Sequence, residues 1–398
     1  MAISAQNGLL SSIFTFGVVS VVFEREKSMH AFLEEFRTIF AHAGVRFIII
    51  VGPLFYAFLY PLPYKNDIVT RQSVALVDMD QSTLSRRLIA MLESAPGIHI
   101  AHFPKSLQDA KKLLEEEKVF GIILVPAFFE RAIYTSTPVH VELYANANYF
   151  LIYGAIANAS IDVLNALSDA IKTHKSLFEA QIAKEHNLLS LQTIPLYNPS
   201  VGYLNYAIAN VFIFILHQTL LIGASMLTCA QARFIPHFFG ALSLVWVRCL
   251  CFSVIYIFLA LLYFGVLFPY YGIHIHANPS ALLGFTSLFL MATASCGVVL
   301  GTFLRKPMQA TQIILLSSLP LVFMVGFIWP LELLPSFLHA LLQIVPAYHG
   351  ISAMVMFNQL GAPLQTTLPH CIALVGILIC ASLLGAWRLS RNNHETRT

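Results

Sequence analysis

Charge is the scarcest component of this 398-residue chain. Only 11% of its residues are Asp, Glu, Lys or Arg, where soluble proteins carry about 25%. With 57% hydrophobic residues and a mean hydropathy of +0.73, the chain meets lipid over most of its length. Acid is rarer still: between Glu185 and Glu395 the sequence holds only Glu332. The net charge of +3 gives no basic excess for nucleic acid. Six cysteines are present and none lies between residues 63 and 200, so a disulfide framework there is excluded. They read as small apolar residues. No GxxxxGK[ST] phosphate loop occurs, so the chain does not cradle nucleotide phosphates in that way. A GxSxG elbow and a Ser/His/Asp set are also missing, which argues against an external hydrolase.

Long apolar runs are what the sequence has instead. A helix needs about 20 apolar residues to cross a bilayer. Six segments qualify, at 45–62, 201–229, 242–268, 280–303, 308–328 and 368–387. Arg37 and Arg46 precede the first, Arg233 follows the second, and Arg248 starts the third. Arg305 and Lys306 separate the fourth from the fifth, and Arg388, Arg391 and Arg397 follow the sixth. The segments 269–279 and 329–367 hold no Lys or Arg. By the positive-inside rule both termini are cytoplasmic. The stretch 63–200 is then outside; it holds twelve Lys and Arg residues, but long loops are exempt from the rule.

Residues 1–44 form a cytoplasmic segment in this reading. Leu9–Phe23 is apolar but short, with no basic residue before it, so it fits neither a signal peptide nor a span. One reading is that translation begins at Met29. HAFLEEFRTIFAHAGVRF, from His30, reads as an amphipathic interfacial helix leading into the first span. A cytoplasmic tail is expected at 389–398.

Residues 63–200 alternate strand and helix. Strands are expected at 73–78, 98–103, 119–125 and 139–144, with helices at 82–92 and 105–117 and a short one from Pro126. The all-apolar 119–125 run suits a buried central strand, and Ser106 with Asp109 has capping-box spacing. A long helix is expected at 150–189, packed on the sheet, then an extended piece at 191–197. The pattern predicts a compact α/β domain inserted into an α-helical polytopic membrane protein.

The five-helix part, 201–388, contains a proline-marked region at 330–357. Pro330, Pro335 and Pro346 cut it into helices of about ten residues, each about 15 Å long. Pieces of that length dip into a bilayer and return, with Glu332 near the outer surface. The competing reading is a surface loop with two interfacial helices.

No acidic residue lies within the six spans, and His217 is the one ionisable side chain deep in any of them. Ion-coupled carriers usually hold such groups in the membrane, so secondary transport is the weaker engine. A packing role for His217 is simpler than a proton relay. His274 and His276 have no third metal ligand nearby in sequence. Asp78 and Asp80 form a carboxylate pair at a strand end, where capping free amides is the simpler role.

Four passages resemble the type-2 ABC transporter permeases (ABC-2 exporters), in the branch with a large periplasmic domain between the first and second spans. They are GPLFYAFLYPLPY (Gly52–Tyr64), ALVDMDQSTLSRRL (Ala75–Leu88), LYNPSVGY (Leu196–Tyr203) and GFIWPLELLPSFLHALLQIVPAYHGI (Gly326–Ile351). Many relatives carry an acidic, Gly-containing motif after the second span; here that loop is CAQARFIPHFFG (Cys229–Gly240), without an acid.

The resemblance implies a permease subunit in a bacterial inner membrane that exports a hydrophobic or amphipathic substrate. It implies no cofactor of its own: a separate ABC ATPase subunit binds ATP. It also implies a second permease copy or a related permease, and leaves a periplasmic membrane-fusion adaptor and outer-membrane channel open. The ATPase is expected at the helix before the first span and at the 230–242 loop. There Phe234, His237, Phe238 and Phe239 present an apolar face; a plain interfacial turn is the alternative. A subunit that transmits force to its external domain without conducting cargo is the second reading.

Overall fold

The computed structural model describes residues 29–64, 69–135, 137–145, 149–178, 203–231, 235–326 and 328–391. The expectations for residues 1–28, the 191–197 extension, Leu196–Gly202 of the third resembling passage and most of the tail lie outside them. The chain divides into two compact units: Met1–Lys65 with Pro195–Thr398, and Asn66–Ile194.

The first unit is helical. A helix at 29–41 precedes the first span, Ala43–Tyr64. The second, third and fourth spans are Ala209–Ala230, Phe238–Tyr270 and Pro279–Phe303, and the last is Gln365–Arg391. The second span is the axis of the bundle. Of its most apolar window 89% is buried, against 28% for the first and last spans, which turn apolar faces such as Phe55, Phe58, Ile372 and Ile379 outward.

Small residues let helix backbones meet. Gly297 and Gly301 lie one turn apart on the fourth span and face Ala224, Ser225 and Thr228 of the second. Gly223 faces Ile49 of the first. Several hydroxyls inside the bundle bond back to their own helices, as Thr219 does to the Ile215 carbonyl at 2.7 Å and Thr228 to the Ala224 carbonyl at 2.8 Å. That satisfies them without water. Tyrosines do the same between helices: the Tyr263 and Tyr271 hydroxyls donate to the carbonyls of Pro53 and Ala57, tying the third span to the first.

One element is shorter than the sequence expectation. The expected fifth span, 308–328, is a helix over Met308–Met324. Its 17 residues reach about 25 Å, short of the ~30 Å hydrocarbon core. The chain turns after it at Gly326, where φ is +95°, a left-handed conformation that glycine adopts without a Cβ penalty. Leu151–Ile171 is also long and apolar enough to cross a membrane, but, as the sequence led one to expect, it is part of a helix packed on the sheet of the second unit. Its Ile156, Val163 and Leu167 pack in the same core as strand residues Val74, Leu76 and Ile123.

That second unit is a four-stranded sheet in the order β2-β1-β3-β4. Its strands are β1 (Gln72–Asp78), β2 (Ile98–His102), β3 (Gly121–Val125) and β4 (Glu142–Ala145). β1 pairs in parallel with β2 and β3, and β4 closes antiparallel on β3. Alternate residues of β1 enter opposite cores. Val74 and Leu76 meet the helices Thr83–Ser94 and Phe150–Phe178, while Ala75 and Val77 meet Leu107–Glu115. Both faces of the central strands are therefore covered, which is why β3 is apolar at every position. Ser82 and Ser106 cap their helices, accepting from the amides of Ser85 and Asp109.

Candidate functional site

The helix 29–41 carries an apolar stripe. Phe32, Phe36 and Phe40 form a row of neighbouring rings, and Ile39 is fully buried. Positions 32, 35, 36, 39 and 40 follow the spacing of one helix face. Glu35 is the exception in that stripe: a carboxylate on the buried side, 4% exposed. Its neighbours Glu34 and Arg37 are exposed.

Arg248 explains the exception. It lies on the buried face of the third span, 2% exposed, and its Nε donates to Glu35 Oε1 at 2.5 Å. One terminal nitrogen donates to Thr228 Oγ1 at 3.0 Å and the other to Gln231 Oε1. Residues from two elements, the pre-span helix and the C-terminal end of the second span, thus satisfy one guanidinium carried by the third span. Desolvating an unpaired ion costs several kcal/mol, so neither charge would be tolerated there alone. Cys251 Sγ, 3.5 Å from the Phe32 carbonyl, adds a second tie between the same two helices.

The described chain resumes at Ile235, at this end of the bundle. The Ile235 amide donates to the Leu389 carbonyl of the last span. His237, Phe238 and Phe239 are exposed, Phe239 by 81%, and the two phenyl rings meet edge to face at 5.8 Å. Phe234 lies outside the described residues. Basic side chains gather here too. Arg388 lies over the Phe303 ring at 4.3 Å, Arg391 over Trp387 at 5.0 Å, and Arg305 and Lys306 are exposed in the adjacent turn. The sequence identified Arg248 only as a topological marker and missed Glu35. The signal was available as an acid inside the apolar stripe of 29–41.

The opposite end holds the proline-marked region. Pro330 precedes a short turn containing exposed Glu332, Pro335 precedes the helix Ser336–Leu342, and Pro346 begins the helix Pro346–Gln359. The two helices meet at 90°. The second is inserted against the bundle, with Ala347, His349, Ile351 and Ala353 buried and Gly350 against the Phe289 ring. Of the four residues singled out in sequence, Pro335 and Pro346 begin the two arms of the bend, and Pro330 and Glu332 lie in the turn before it.

The remaining sequence candidates are structural. His217 is buried between the rings of Phe214 and Phe289. His274 meets Asn205 Oδ1 through its amide and its ring. Among the described residues no group of three or more His, Cys, Asp or Glu is placed to hold a metal. Asp78 accepts from the amides of Asp80 and Gln81 and from the Ser85 hydroxyl. Asp80 accepts from the Glu130 amide. Partial desolvation pushes the Asp80 carboxyl up, but donors from Ser82, Glu130, Phe129 and Phe128 together hold it below its ordinary value. Both carboxylates are therefore occupied as caps.

The family described as ABC-2 family transporter protein matches residues 43–387 of this chain. The linearmycin resistance permease protein LnrN of Bacillus subtilis (strain 168) is 23% identical over 371 residues, which cover 84% of this chain and 93% of that protein. No solved structure gives a significant match.

Proposed function

This chain belongs to the ABC-2 transporter family, and from that premise we propose that it is the permease subunit of an ATP-driven exporter whose motor docks at the Glu35–Arg248 end of the bundle. The multi-pass helical architecture and the resistance permease among its relatives support a membrane subunit of an efflux system rather than an enzyme. An ABC ATPase subunit and a second permease chain complete it in this reading.

The observation that carries the docking site is the Arg248 cluster. It fixes the pre-span helix to the second and third spans through directional bonds, and the third span begins with the exposed Phe238 and Phe239. A displacement of that helix by an ATPase is passed to the spans through a paired charge, which does not slide as apolar contacts do. The basic residues at this end support its being cytoplasmic. The α/β unit and the 90° bent pair are then extracytoplasmic, as in the branch with a large periplasmic domain, and the bent pair is a re-entrant element. We place the chain in a bacterial inner membrane. The apolar spans favour a hydrophobic or amphipathic cargo, and the relative's name points to a compound against which export confers resistance. A periplasmic adaptor and outer-membrane channel would dock on the α/β unit.

The test is reconstitution with the partner ATPase in liposomes. ATPase stimulation by a compound that is then moved across the bilayer supports export. Stimulation without movement favours the force-transmitting reading, and transport driven by a proton gradient alone would falsify ATP-driven export.

A further inference from the structure

Away from the charge cluster, two histidines face each other across an element boundary. His349 lies on the helix Pro346–Gln359 and is 2% exposed; His370, near the start of the last span, is half-buried. Their Nδ1 atoms are 3.0 Å apart. His349 Nε2 is 2.9 Å from the Gln343 carbonyl oxygen. A carbonyl only accepts, so His349 Nε2 carries a hydrogen. Neutral His349 then has a lone pair on Nδ1, and the hydrogen in the 3.0 Å contact belongs to His370 Nδ1. The tautomers of both rings follow from one backbone oxygen.

We propose that His349 and His370 form a one-proton latch that fastens the bent helix pair to the last span. A proton added to the pair enters at His370 Nε2. It converts the contact into a charge-assisted N–H···N bond, which is stronger than the neutral one. A second proton places N–H against N–H and parts the helices. The joined pair therefore binds one proton, and two only when it has opened; such a pair titrates as a unit.

Among the described residues, the elements packed around the pair hold no carboxylate to favour the second proton. The helix Pro346–Gln359 packs on the second, fourth and last spans. Their other titratable groups are His217, Cys229, Cys296, Cys371, Cys380 and, at the far end, Arg388 and Arg391; His274 and His276 lie on the loop that bonds Asn358 and Gln359 at the helix's C-terminal end. On the bent pair itself they are His339 and Tyr348, whose rings meet edge to face, and Tyr348 also meets both latch histidines. The seat is tight elsewhere: a Cβ on Gly350 would fall 2.3 Å from the Phe289 ring. The helix thus has one fitted position, and the histidine pair is its titratable fastening. Any effect on export rests on the permease reading above; the latch does not.

The experiment is a pH titration of ¹⁵N-histidine NMR signals of the full chain in lipid nanodiscs, from about pH 8 to about pH 5, spanning the ordinary histidine range. The expected result is a single proton taken up by the pair, with His349 retaining its Nε2 hydrogen throughout. Two separate imidazolium titrations in that range overturn the proposal. Hydrogen exchange of the 346–359 amides gives a second reading. In His370→Asn, an amide donor replaces Nδ1–H without titrating, and protection matches the parent. In His370→Phe, exchange rises by about tenfold or more. Parent-like protection in His370→Phe also overturns the latch. The parent titration requires no variant, and neither readout involves ATP or cargo.

Discussion

Gly301 of the fourth span lies against Ser225 of the second so closely that a Cβ on the glycine would fall 2.5 Å from the serine carbonyl oxygen. One turn earlier, a Cβ on Gly297 would lie 2.7 Å from that of Ala224. Backbone cannot retreat as a flexible side chain does, so Gly301→Ala forces the two central helices apart. Overpacking of this kind costs about 1–3 kcal/mol. Gly284→Ala on the same helix meets nothing within 4 Å and is neutral or stabilising by up to about 1 kcal/mol. Thermal unfolding of both variants in detergent checks the contrast; equal melting points would mean that the spans are further apart than described.

The buried charge pair predicts asymmetric mutant behaviour. Glu35→Gln leaves Arg248 buried without its counter-charge and destabilises by about 3–5 kcal/mol. Replacing both partners, as in Glu35→Leu with Arg248→Met, restores most of that stability, because two desolvation penalties disappear together. In the exporter reading, the restored double variant still shows weakened stimulation of the partner ATPase by cargo. A double variant with parent-like stimulation would leave the pair a purely structural contact.

Phe239 gives the opposite pattern. It is 81% exposed, so Phe239→Ser changes folding stability by no more than about 0.5 kcal/mol. If the turn docks the motor, ATPase co-purification with the permease falls about tenfold or more, or about 1.4 kcal/mol of binding. Unchanged co-purification moves the docking site elsewhere.

The α/β unit carries a pH signature. The Glu93 carboxylate accepts from the Ile100 amide at 2.6 Å, and this bond, with His99 beside it, holds its carboxyl below the ordinary value. Asp80 is lowered by its own amide donors. A lowered folded-state value means stability fully present above the unfolded-state value, about 4, and lost as pH falls through the folded one. Hydrogen exchange over 72–145, corrected for intrinsic rate, should show the sheet loosening below about pH 4. Asp80→Asn with Glu93→Gln should remove most of that dependence and lower stability at neutral pH.

Much of the architecture was legible because it depends on composition and short-range pattern. The apolar runs locate helices to within a few residues, since a span's length is set by the bilayer. The strand at 119–125 was readable because a strand covered on both faces needs no polar alternation. Leu151–Ile171 is the hardest case for that logic. It is less apolar than any of the spans, the sequence places it on the sheet, and Ile156 and Val163 do pack there. The fifth apolar run is shorter than its sequence suggests, ending at Met324 before the glycine turn at Gly326.

The candidate sites divide in the same way. The sequence by itself determined that this is a multi-pass membrane chain with one-sided basic residues and a proline-cut region, because solvent, charge and proline act on each residue where it stands. Only the tertiary structure decided what Glu35 and Arg248 do. They are 213 residues apart, and each alone is a charge on an apolar face. The same holds for His349 and His370, whose tautomers depend on a carbonyl brought close by the bend between two helices. Pairing across elements is a property of packing, and no local pattern encodes it.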